Sequence, residues 1–507
     1  MKILLAGPGT GKTTNIGKII SSHGDGSKFL VLSFTNATIN DLQISLKEKG
    51  ISEKNCMTLH KFAVKYNHDN SRHVLLQKEE KIIKQISKSI NVGFDKLCGF
   101  LQCTTFDQMI ERFVGYAKIN PLYLQQKLSD YDSLIVDEYQ DFNPAEQKLI
   151  DILIEQIKTS YLLGDDDQCI YDFKDASSDK IISFHNDPKN ESIPHEHKCY
   201  RCPDNIVTHA TNLILNNKKR VTKKWEKTGK EGGINYSQLI GFEDVANNIL
   251  EIVKTIIKED ILILTPVGFA IEPLLSKFDQ CNIEYTNYFS ARIPDELVIK
   301  SWEVRSLFGN FKYFNLILLG YQNLKNRKNY YELLKKHFDK GNDLNELLNF
   351  LGKNLPDAIK NNQLSFDDFI SQNDYLDIFV LYQKSKGDSP EEKIENIFRE
   401  LENQEEKNIK IMSIHKSKGL GADYVFIVGL NEGIIPNKKQ GNDTIESQRR
   451  LFYVGITRTK KQLYLYSNIQ IEGKYANKVN KSDFKYDFKS KKCIGRASSF
   501  ISELKLN

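Results

Sequence analysis

Residues 6–13 combine glycines, a lysine and a threonine at the spacing of a phosphate-binding loop. The segment reads Ala-Gly-Pro-Gly-Thr-Gly-Lys-Thr, with Ala6 where the strict pattern has a glycine. Glycines let the backbone aim its N–H groups at a phosphate chain, and the positive end of a following helix adds to the attraction. In such a loop, Lys12 contacts the β- and γ-phosphates and the hydroxyl of Thr13 ligates magnesium. The expected nucleotide-binding residues are Ala6, Gly7, Pro8, Gly9, Thr10, Gly11, Lys12, Thr13 and Thr14.

A pair of acidic residues follows the apolar run Leu134–Val136. Acids at the carboxyl end of a parallel strand lie at the edge of the sheet where ligands bind. There Asp137 can hold magnesium through a water, and Glu138 can orient and deprotonate an attacking water. Taken alone, the pattern fits equally well a strand that runs into a solvated loop. Beside a phosphate-binding loop, it favours phosphoryl transfer.

The stretch Leu162–Ser177 repeats this arrangement, with an apolar run, an acidic cluster and then Gln168. A glutamine at this edge can sense a γ-phosphate or the attacking water. Tyr171 and Phe173 follow, and aromatic rings at such an edge stack on unpaired bases. For Tyr171 the alternative is a ring packed in the core.

Short apolar runs must position these residues as buried strands. Most of them alternate with helical patterns, which is typical of parallel sheets covered on both faces. Because four runs lie early in the chain and three lie late, we expect an α/β protein with two sheets rather than one. The predicted strands are Lys2–Gly7, Phe29–Phe34, Ser133–Glu138, Tyr161–Asp165, Ile261–Pro266, Tyr424–Leu430 and Leu463–Asn468.

The composition is that of a globular protein, with 40% hydrophobic and 27% charged residues in 507. A formal net charge of +5 neither indicates nor excludes a nucleic-acid-binding groove, since only local charge matters there. Eight scattered cysteines suit a reducing compartment. Cys199 and Cys202 form a C-x2-C pair, but zinc would need a second pair, for which only Cys98 and Cys103 offer themselves. We therefore expect buried thiols and no structural metal.

The N-terminal run "MKILLAG" is too short for a signal peptide, and no apolar stretch reaches membrane-spanning length. The sequence predicts a cytoplasmic protein with no membrane partner.

Together these stretches resemble the superfamily-one DNA helicases of the UvrD/Rep type, in motif order from residue 3 to residue 504. The resemblance rests on the stretches above and on further segments. These are "LSFTNATINDL" (32–42), "TLHKFA" (58–63), "CYRCPDNI" (199–206), "IMSIHKSKGLGADYVFIVGLNEGIIP" (411–436), "ESQRRLFYVGITRTKKQLYLY" (446–466) and "RASSFISEL" (496–504).

The resemblance implies two RecA-like parallel-sheet motor domains, each with a helical insertion, and ATP with Mg²⁺ in the cleft between them. It implies catalytic roles for Glu138, Gln168, Arg201 and Arg458, with Arg458 as an arginine finger and Arg450 also near the nucleotide. It places Lys418 and Gly419 in the segment that joins the nucleotide and DNA sites. The implied DNA contacts are Phe34, Thr35, Asn36, His60, Tyr171, Phe173, Lys174 and His415.

The expected domain boundaries follow from these motifs. The first motor domain comprises residues 1–63 and 114–209, interrupted by a small helical insertion at 64–113. The second comprises residues 210–296 and 408–507, interrupted by a reduced helical insertion at 297–407.

The resemblance implies an ATP-dependent 3′-to-5′ translocase and helicase that acts on single-stranded DNA or a tailed duplex. An alternative is a DNA-stimulated ATPase that unwinds weakly and serves as a sensor or regulatory subunit beside a nuclease, for example in phage defence. Another genome-maintenance protein is also a possible partner. A phosphate-loop kinase or GTPase-like switch fits poorly, because catalytic arginines come from two domains.

Three departures from the family pattern stand out. Five residues precede Ala6, so the adenine-reading segment is expected to be missing, and Gly421 replaces a glutamate that faces the ribose. Both changes predict a relaxed base preference. Lys174, in "FKDA", replaces an arginine and loses its bidentate fork. The short insertions predict weak unwinding without help, and the residues after the last motif are too few for a nuclease domain.

Overall fold

The computed structural model describes most of the chain. The described residues are 1–24, 26–68, 71–289, 298–299, 302, 312–323, 327–340, 406–437, 445–472, 475, 485–487 and 492–506. Much of the predicted insertion 297–407, including all of 341–405, lies outside the described residues.

The strands, numbered in chain order, are β1 (Lys2–Leu5), β2 (Phe29–Ser33), β3 (Cys56–Thr58), β4 (His73–Val74), β5 (Cys103–Thr104), β6 (Ser133–Val136), β7 (Thr159–Gly164), β8 (Glu191–Ser192), β9 (His197–Lys198), β10 (Trp225–Glu226), β11 (Gly233–Leu239), β12 (Ile261–Thr265), β13 (Thr286–Asn287), β14 (Ile409–Ser413), β15 (Ala422–Val428), β16 (Thr459–Asn468), β17 (Gln470–Glu472), β18 (Lys485–Asp487) and β19 (Lys492–Ile494).

The helices are α1 (Lys12–Ser21), α2 (Asn36–Glu48), α3 (Leu59–Tyr66), α4 (Gln77–Ser89), α5 (Phe94–Phe100), α6 (Phe106–Ile119), α7 (Pro121–Leu128), α8 (Pro144–Gln156), α9 (Asp179–Asn186), α10 (Asp204–Ile214), α11 (Phe242–Thr255), α12 (Glu272–Gln280), α13 (Lys312–Asn323), α14 (Lys328–Lys340), α15 (Ile445–Ile456) and α16 (Ser499–Glu503).

Two parallel sheets dominate the described residues, each of six strands. The first has the order β3-β2-β6-β7-β1-β8, and the second has the order β11-β16-β15-β12-β14-β13. Every strand pairing within these two sheets is parallel. The predicted α/β class with two sheets is therefore confirmed.

The second sheet shows why the strands read as continuous apolar runs. Along β12, Ile261 and Ile263 pack into one apolar core, while Leu262 and Leu264 pack into another. All four side chains are buried. Since successive side chains of a strand point to opposite faces, both faces of this sheet are covered, and no polar alternation is possible.

The chain divides into two compact units. One unit, formed by Met1–Tyr66, Val114–Phe289 and Glu406–Asn507, contains both parallel sheets. The other is formed by Asn67–Phe113 and Ser290–Glu405. Both helical insertions thus belong to one body, although they lie far apart in the sequence.

The insertion unit has a core of its own. Ile83 and Leu97 of the first insertion pack in one apolar cluster with Trp302 and Phe314 of the second. Within it, the buried carboxylate of Glu79 accepts hydrogen bonds from Trp302 Nε1 at 3.0 Å and from the backbone N–H of Leu76 at 2.9 Å. A buried carboxylate needs such partners, so Glu79 joins the two segments specifically.

Candidate active site

The phosphate-binding loop connects β1 to α1. Gly9 and Gly11 have φ values of +68° and +85°, a region that side chains with a Cβ rarely adopt. Thr10 Oγ1 donates a hydrogen bond to the carbonyl of Gly7 at 2.8 Å, and Lys12 Nζ donates to the carbonyl of Ala6 at 3.3 Å. The loop therefore closes on itself and holds its lysine at the start of the helix.

A cavity of about 500 Å³ opens in front of this loop. It brings together residues of both parallel sheets, because the loops that follow β1, β6 and β7 face the segments around β15 and β16. Its lining includes the predicted residues Gly7, Pro8, Gly9, Gly11, Lys12, Thr13, Thr14, Asp137, Glu138, Gln168, Arg201 and Arg458. Ala6 and Thr10 are buried just behind it.

Glu138 follows β6 in the left-handed region, with a φ of +52° that costs backbone strain in a residue other than glycine. Its carboxylate lies 3.5 Å from Lys12 Nζ and 3.6 Å from Lys418 Nζ, and it accepts a hydrogen bond from Gln140 Nε2 at 2.6 Å. Burial opposes ionisation, but the two lysines outweigh it and lower the pKa of Glu138 to about 2. The side chain is therefore held as a carboxylate.

Asp137 precedes Glu138 in the chain, and its pKa is shifted in the opposite direction. Burial, followed by the negative charge of Glu138, raises the pKa of Asp137 to about 7. Two neighbouring carboxylates in different environments are thus distinguished by their surroundings. Asp137 and Thr13 line the same cavity with a carboxylate and a hydroxyl, which are the donor groups that Mg²⁺ prefers.

Arg458 reaches the cavity from the second sheet, directly before β16. Its guanidinium donates to the carbonyls of Val454 at 2.8 Å and Leu420 at 3.1 Å, and to Gln168 Oε1 at 3.1 Å. Burial, followed by repulsion from Arg201, lowers the pKa of Arg458 to about 9. Because Arg458 is buried next to another cation, an anion that enters the cavity would be attracted to it.

Lys418 makes the second link between the two sheets. Its ammonium donates to Asp141 Oδ2 at 2.5 Å and to the carbonyl of Gln168 at 2.7 Å. Asp141 is buried, and both partners come from loops at the carboxyl edge of the first sheet.

Arg201 lines the cavity close to Gly421. Its guanidinium lies 3.5 Å from the carbonyls of Thr457 and Gly419. A Cβ at position 421 would lie 3.2 Å from Arg201 Cδ and 3.3 Å from the carbonyl oxygen of Arg458. The glycine that departs from the family pattern therefore leaves the space that Arg201 occupies.

Tyr200 also lines this cavity, although sequence reasoning did not select it. Its side chain is 64% exposed, and its backbone N–H bonds the carbonyl of Gly9 at 2.9 Å. The available signal was its place directly before Arg201. Thr38 and Asp41 of α2 line the cavity as well and were also missed.

Arg450 is not among the residues that line this cavity. Its guanidinium donates to the carbonyl of Lys219 at 3.2 Å and lies 3.8 Å from Glu446, beside a different cavity. Arg450 and Arg458 lie eight positions apart in the sequence, and α15 ends between them at Ile456, so they need not face the same way. The place of Arg450 near the nucleotide therefore stays a prediction from the sequence.

A cluster of aromatic side chains, the aromatic face, lies next to the cavity and comprises Phe34, Tyr171, Phe173 and His415. The Tyr171 ring lies 5.1 Å from Phe34, 5.9 Å from Phe173 and 6.5 Å from His415. Phe173 is 61% exposed, whereas Tyr171 is partly buried against an apolar core. Lys174 Nζ lies 5.4 Å from the Phe34 ring centroid.

The other predicted DNA contacts have separate placements. Thr35 lines the cavity, and its hydroxyl caps α2 by accepting from the N–H of Thr38 at 3.1 Å. Asn36 is the first residue of α2. His60 lies in α3, with Nε2 3.1 Å from a carboxylate oxygen of Glu146.

The C-x2-C pair, Cys199 and Cys202, consists of buried free thiols. Within the described residues, neither belongs to a cluster of three or more potential metal ligands. Every helix in the same residues is too short or too polar to span a membrane.

Comparison with known proteins extends this geometry. A family model described as an AAA domain matches residues 1–174, and one described as the UvrD-like helicase C-terminal domain matches residues 311–470. These two matches fall on the two halves of the cleft. In both matched ranges the chain is similar to the UvrD/Rep-type helicases.

The chain is also similar to individual curated helicases. It is 24% identical over 453 residues to DNA helicase II of Haemophilus influenzae, which covers 73% of this chain and 60% of the relative. It is 29% identical over 417 residues to the ATP-dependent DNA helicase Rep of Buchnera aphidicola, covering 67% and 63%. For the ATP-dependent DNA helicase PcrA of Leuconostoc citreum, the identity is 25% over 447 residues, covering 72% and 58%. The matched part thus spans about three fifths of the length of these curated relatives.

Proposed function

We propose that this protein hydrolyses ATP in the cleft between its two parallel sheets and uses the reaction to move along single-stranded DNA in the 3′-to-5′ direction, separating a tailed duplex. One observation carries the proposal. Arg458 of the second sheet donates to Gln168 of the first, in the same cavity that contains the phosphate-binding loop. An arginine supplied across a cleft stabilises phosphoryl-transfer charge only when the cleft is closed.

The loop residues would hold the phosphates of ATP, with Lys12 against the β- and γ-phosphates. Thr13 and Asp137 would hold Mg²⁺, since a hydroxyl and a carboxylate line the cavity at the start of α1 and the end of β6. When bound, the cation supplies charge neutralisation at the phosphates. A cation beside Asp137 also favours the ionised form of this carboxyl group.

Glu138 would accept the proton of the attacking water, because the neighbouring lysines keep it ionised. Gln168 would orient that water or sense the γ-phosphate. Arg458 and Arg201 would stabilise the charge on the transferred phosphoryl group. Glu138 and Gln168 belong to one sheet and Arg458 to the other, so opening the cleft separates the catalytic groups.

The aromatic face connects this cleft to DNA. Tyr171 lies three residues after Gln168, and His415 lies three residues before Lys418, so each ring shares a short loop with a cleft residue. Bases stacked on these rings would be displaced when the two loops move relative to each other. Stacking tolerates any base sequence, as a translocating motor requires.

A strand-displacement assay on duplexes with a 3′ or a 5′ single-stranded tail tests the proposal. We expect ATP-dependent displacement of the 3′-tailed duplex by the purified protein. ATP hydrolysis stimulated by single strands without displacement of either duplex would instead favour the DNA-stimulated regulatory ATPase. Displacement restricted to the 5′-tailed duplex would contradict the proposed polarity, and no hydrolysis at all would contradict both functions.

A further inference from the structure

A fully buried lysine lies among three consecutive carboxylates directly beneath the cleft. Lys223 Nζ is 3.0 Å from Asp165 Oδ1, 2.6 Å from Asp166 Oδ1 and 2.7 Å from Asp167 Oδ2. Lys223 belongs to the segment between α10 and β10, whereas the carboxylates follow β7. The ammonium group thus joins a distant part of the chain to the loop that carries Gln168.

This segment makes further bonds to the acidic cluster. Arg220 forms a bidentate pair with Asp167, with Nε and Nη2 each 2.9 Å from a carboxylate oxygen. The backbone N–H of Val221 bonds Asp166 Oδ2 at 2.6 Å. Two cations and a backbone N–H therefore bond the three carboxylates, and we assign no metal to the cluster.

Burial of so many charges gives little net stability compared with an apolar replacement. The cluster instead fixes the conformation of the loop that carries Gln168, next to the cavity. Asp165 is the member that connects it to the candidate catalytic residues. Its Oδ1 accepts from Lys223 and from the N–H of Asp167 at 3.2 Å, while its Oδ2 accepts from Gln168 Nε2 at 2.5 Å.

The orientation of the Gln168 side chain follows from these bonds. A carboxylate only accepts hydrogen bonds, so the NH₂ group of the amide must face Asp165. Gln168 Oε1 then points the other way and accepts from Arg458 Nη2 at 3.1 Å. The same carboxylate thus determines which end of the amide faces the cavity.

Asp165 also connects to Glu138 through its backbone. The N–H of Asp165 bonds Gln140 Oε1 at 3.0 Å, and Gln140 Nε2 bonds Glu138 Oε2 at 2.6 Å. These bonds involve the backbone of Asp165 and not its carboxylate, so they hold the backbone independently of Lys223.

We propose that Lys223 is a positioning residue, which holds Asp165 so that Gln168 presents its carbonyl oxygen to Arg458 and to the attacking water. This inference rests on the proposed ATP hydrolysis. Lys223 does not line the cavity, so it acts on turnover through Asp165 and not on nucleotide binding.

A double-mutant cycle with Lys223→Met and Gln168→Ala tests this role by steady-state ATP hydrolysis. Misplacing a catalytic group by about 1 Å costs up to about 100-fold in rate. We expect Lys223→Met to lower kcat by about 10- to 100-fold with KM for ATP within about twofold. In the Gln168→Ala background, the same substitution is expected to have no further effect on kcat.

Arg220→Met is the matched control, since Arg220 is the other buried cation of the cluster and bonds Asp167 but not Asp165. It is expected to lower the midpoint of thermal unfolding while kcat stays within about threefold of the wild type. An equal loss of kcat in Arg220→Met would show a general destabilisation and overturn the inference. An unchanged kcat in Lys223→Met, or the same fold loss in both backgrounds, would overturn it as well.

Asp165→Asn tests the same connection if Lys223→Met does not fold. It keeps Lys223 in place but puts an amide where Gln168 needs an acceptor, and its kcat loss is expected to disappear in the Gln168→Ala background. A loss that persists there would contradict the proposal. Absence of hydrolysis by the wild-type protein would instead reject the proposed function, so the two failures are distinguishable.

Discussion

The ammonium of Lys418 lies 2.5 Å from Asp141 Oδ2, although Lys418 follows a strand of the second sheet and Asp141 follows a strand of the first. Both side chains are largely shielded from water, with relative exposures of 10% and 2%. This pair and the bond between Arg458 and Gln168 cross the cleft at two points. Polar side chains that follow strands of the two sheets therefore bond directly across the cleft.

Replacing Lys418 by methionine should destabilise the nucleotide-free protein and lower its ATP hydrolysis. Asp141 would lose its cation, and breaking a buried ion pair from one side costs about 3–5 kcal/mol. Urea unfolding without nucleotide and steady-state hydrolysis measure the two effects. Lys416→Met, an exposed lysine in the same turn, should change neither by much. Equal losses in both variants would contradict a specific role for the cross-cleft pair.

Substitutions in the phosphate site should separate binding from chemistry. Lys12→Ala removes the cation at the β- and γ-phosphates, so both nucleotide affinity and hydrolysis should be lost. Glu138→Gln keeps the shape of the side chain but cannot accept a proton, and it should lower kcat by about 100-fold or more while nucleotide still binds. Fluorescent-nucleotide titration and hydrolysis assays measure these effects. Lys18→Ala, on the exposed side of α1, is the control, and normal turnover in Glu138→Gln would show that our assignment of the base is wrong.

Phe173→Ala should weaken binding to single-stranded DNA. The ring is 61% exposed, so its removal should leave the unfolding temperature nearly unchanged. Loss of one stacked base is worth about 1–3 kcal/mol, or about a 5- to 150-fold increase in Kd. Fluorescence anisotropy with a labelled oligonucleotide measures it. Leu122→Ala, a substitution of a 70% exposed apolar residue on α7, is the control, and equal affinities in the two variants would exclude a stacking role for Phe173.

The environment of Cys199, in the thiol pair beside Arg201, should make the free energy of unfolding of the protein depend on pH. A hydrogen bond from Cys202, opposed by burial and aided by backbone N–H groups, lowers the pKa of Cys199 from about 9 to about 6. Between these values the folded protein carries a thiolate while the unfolded chain binds a proton. Stability from this group therefore rises with pH across the window and is absent below about pH 6.

The variant Cys199→Ser should lack the part of the stability that rises with pH through ionisation of Cys199. The difference in unfolding free energy between wild type and variant is expected to grow from pH 6 towards pH 9, measured by urea unfolding in the presence of a reductant. Cys281→Ser, which changes an exposed cysteine, should show a constant difference. A constant difference for Cys199→Ser would mean that Cys199 is a neutral thiol in the folded protein.

The strands that could be recognised from the sequence are those buried on both faces. β2 has five buried residues in succession and was predicted with nearly its observed bounds. β11 was missed because it is an edge strand whose side chains are only partly buried, so its sequence "GINYSQL" is mixed. β14 was missed because Lys410 interrupts its apolar run.

The candidate site divides in the same way. Lys12, Asp137, Glu138 and Gln168 were predictable because each follows an apolar strand at short range, and parallel strands bring their carboxyl ends to one edge. Arg450 lies outside the lining of this cavity, which its spacing from Arg458 could not indicate, because sequence spacing does not say which way a side chain faces. The roles of Tyr200 and Lys223 depend on contacts between segments far apart in the chain, and neither residue type indicates them.

The local chemistry was evident from the order of residues alone: a glycine loop before a helix, acids at strand ends and an arginine next to a late strand. These features depend on backbone conformation and on residues within one turn or one strand. The folded structure was needed to see which distant groups come into contact, including Arg458 with Gln168 and Lys223 with Asp165. Contacts between residues distant in sequence depend on how the sheets pack and on which buried charges must be paired. Both are properties of the whole fold.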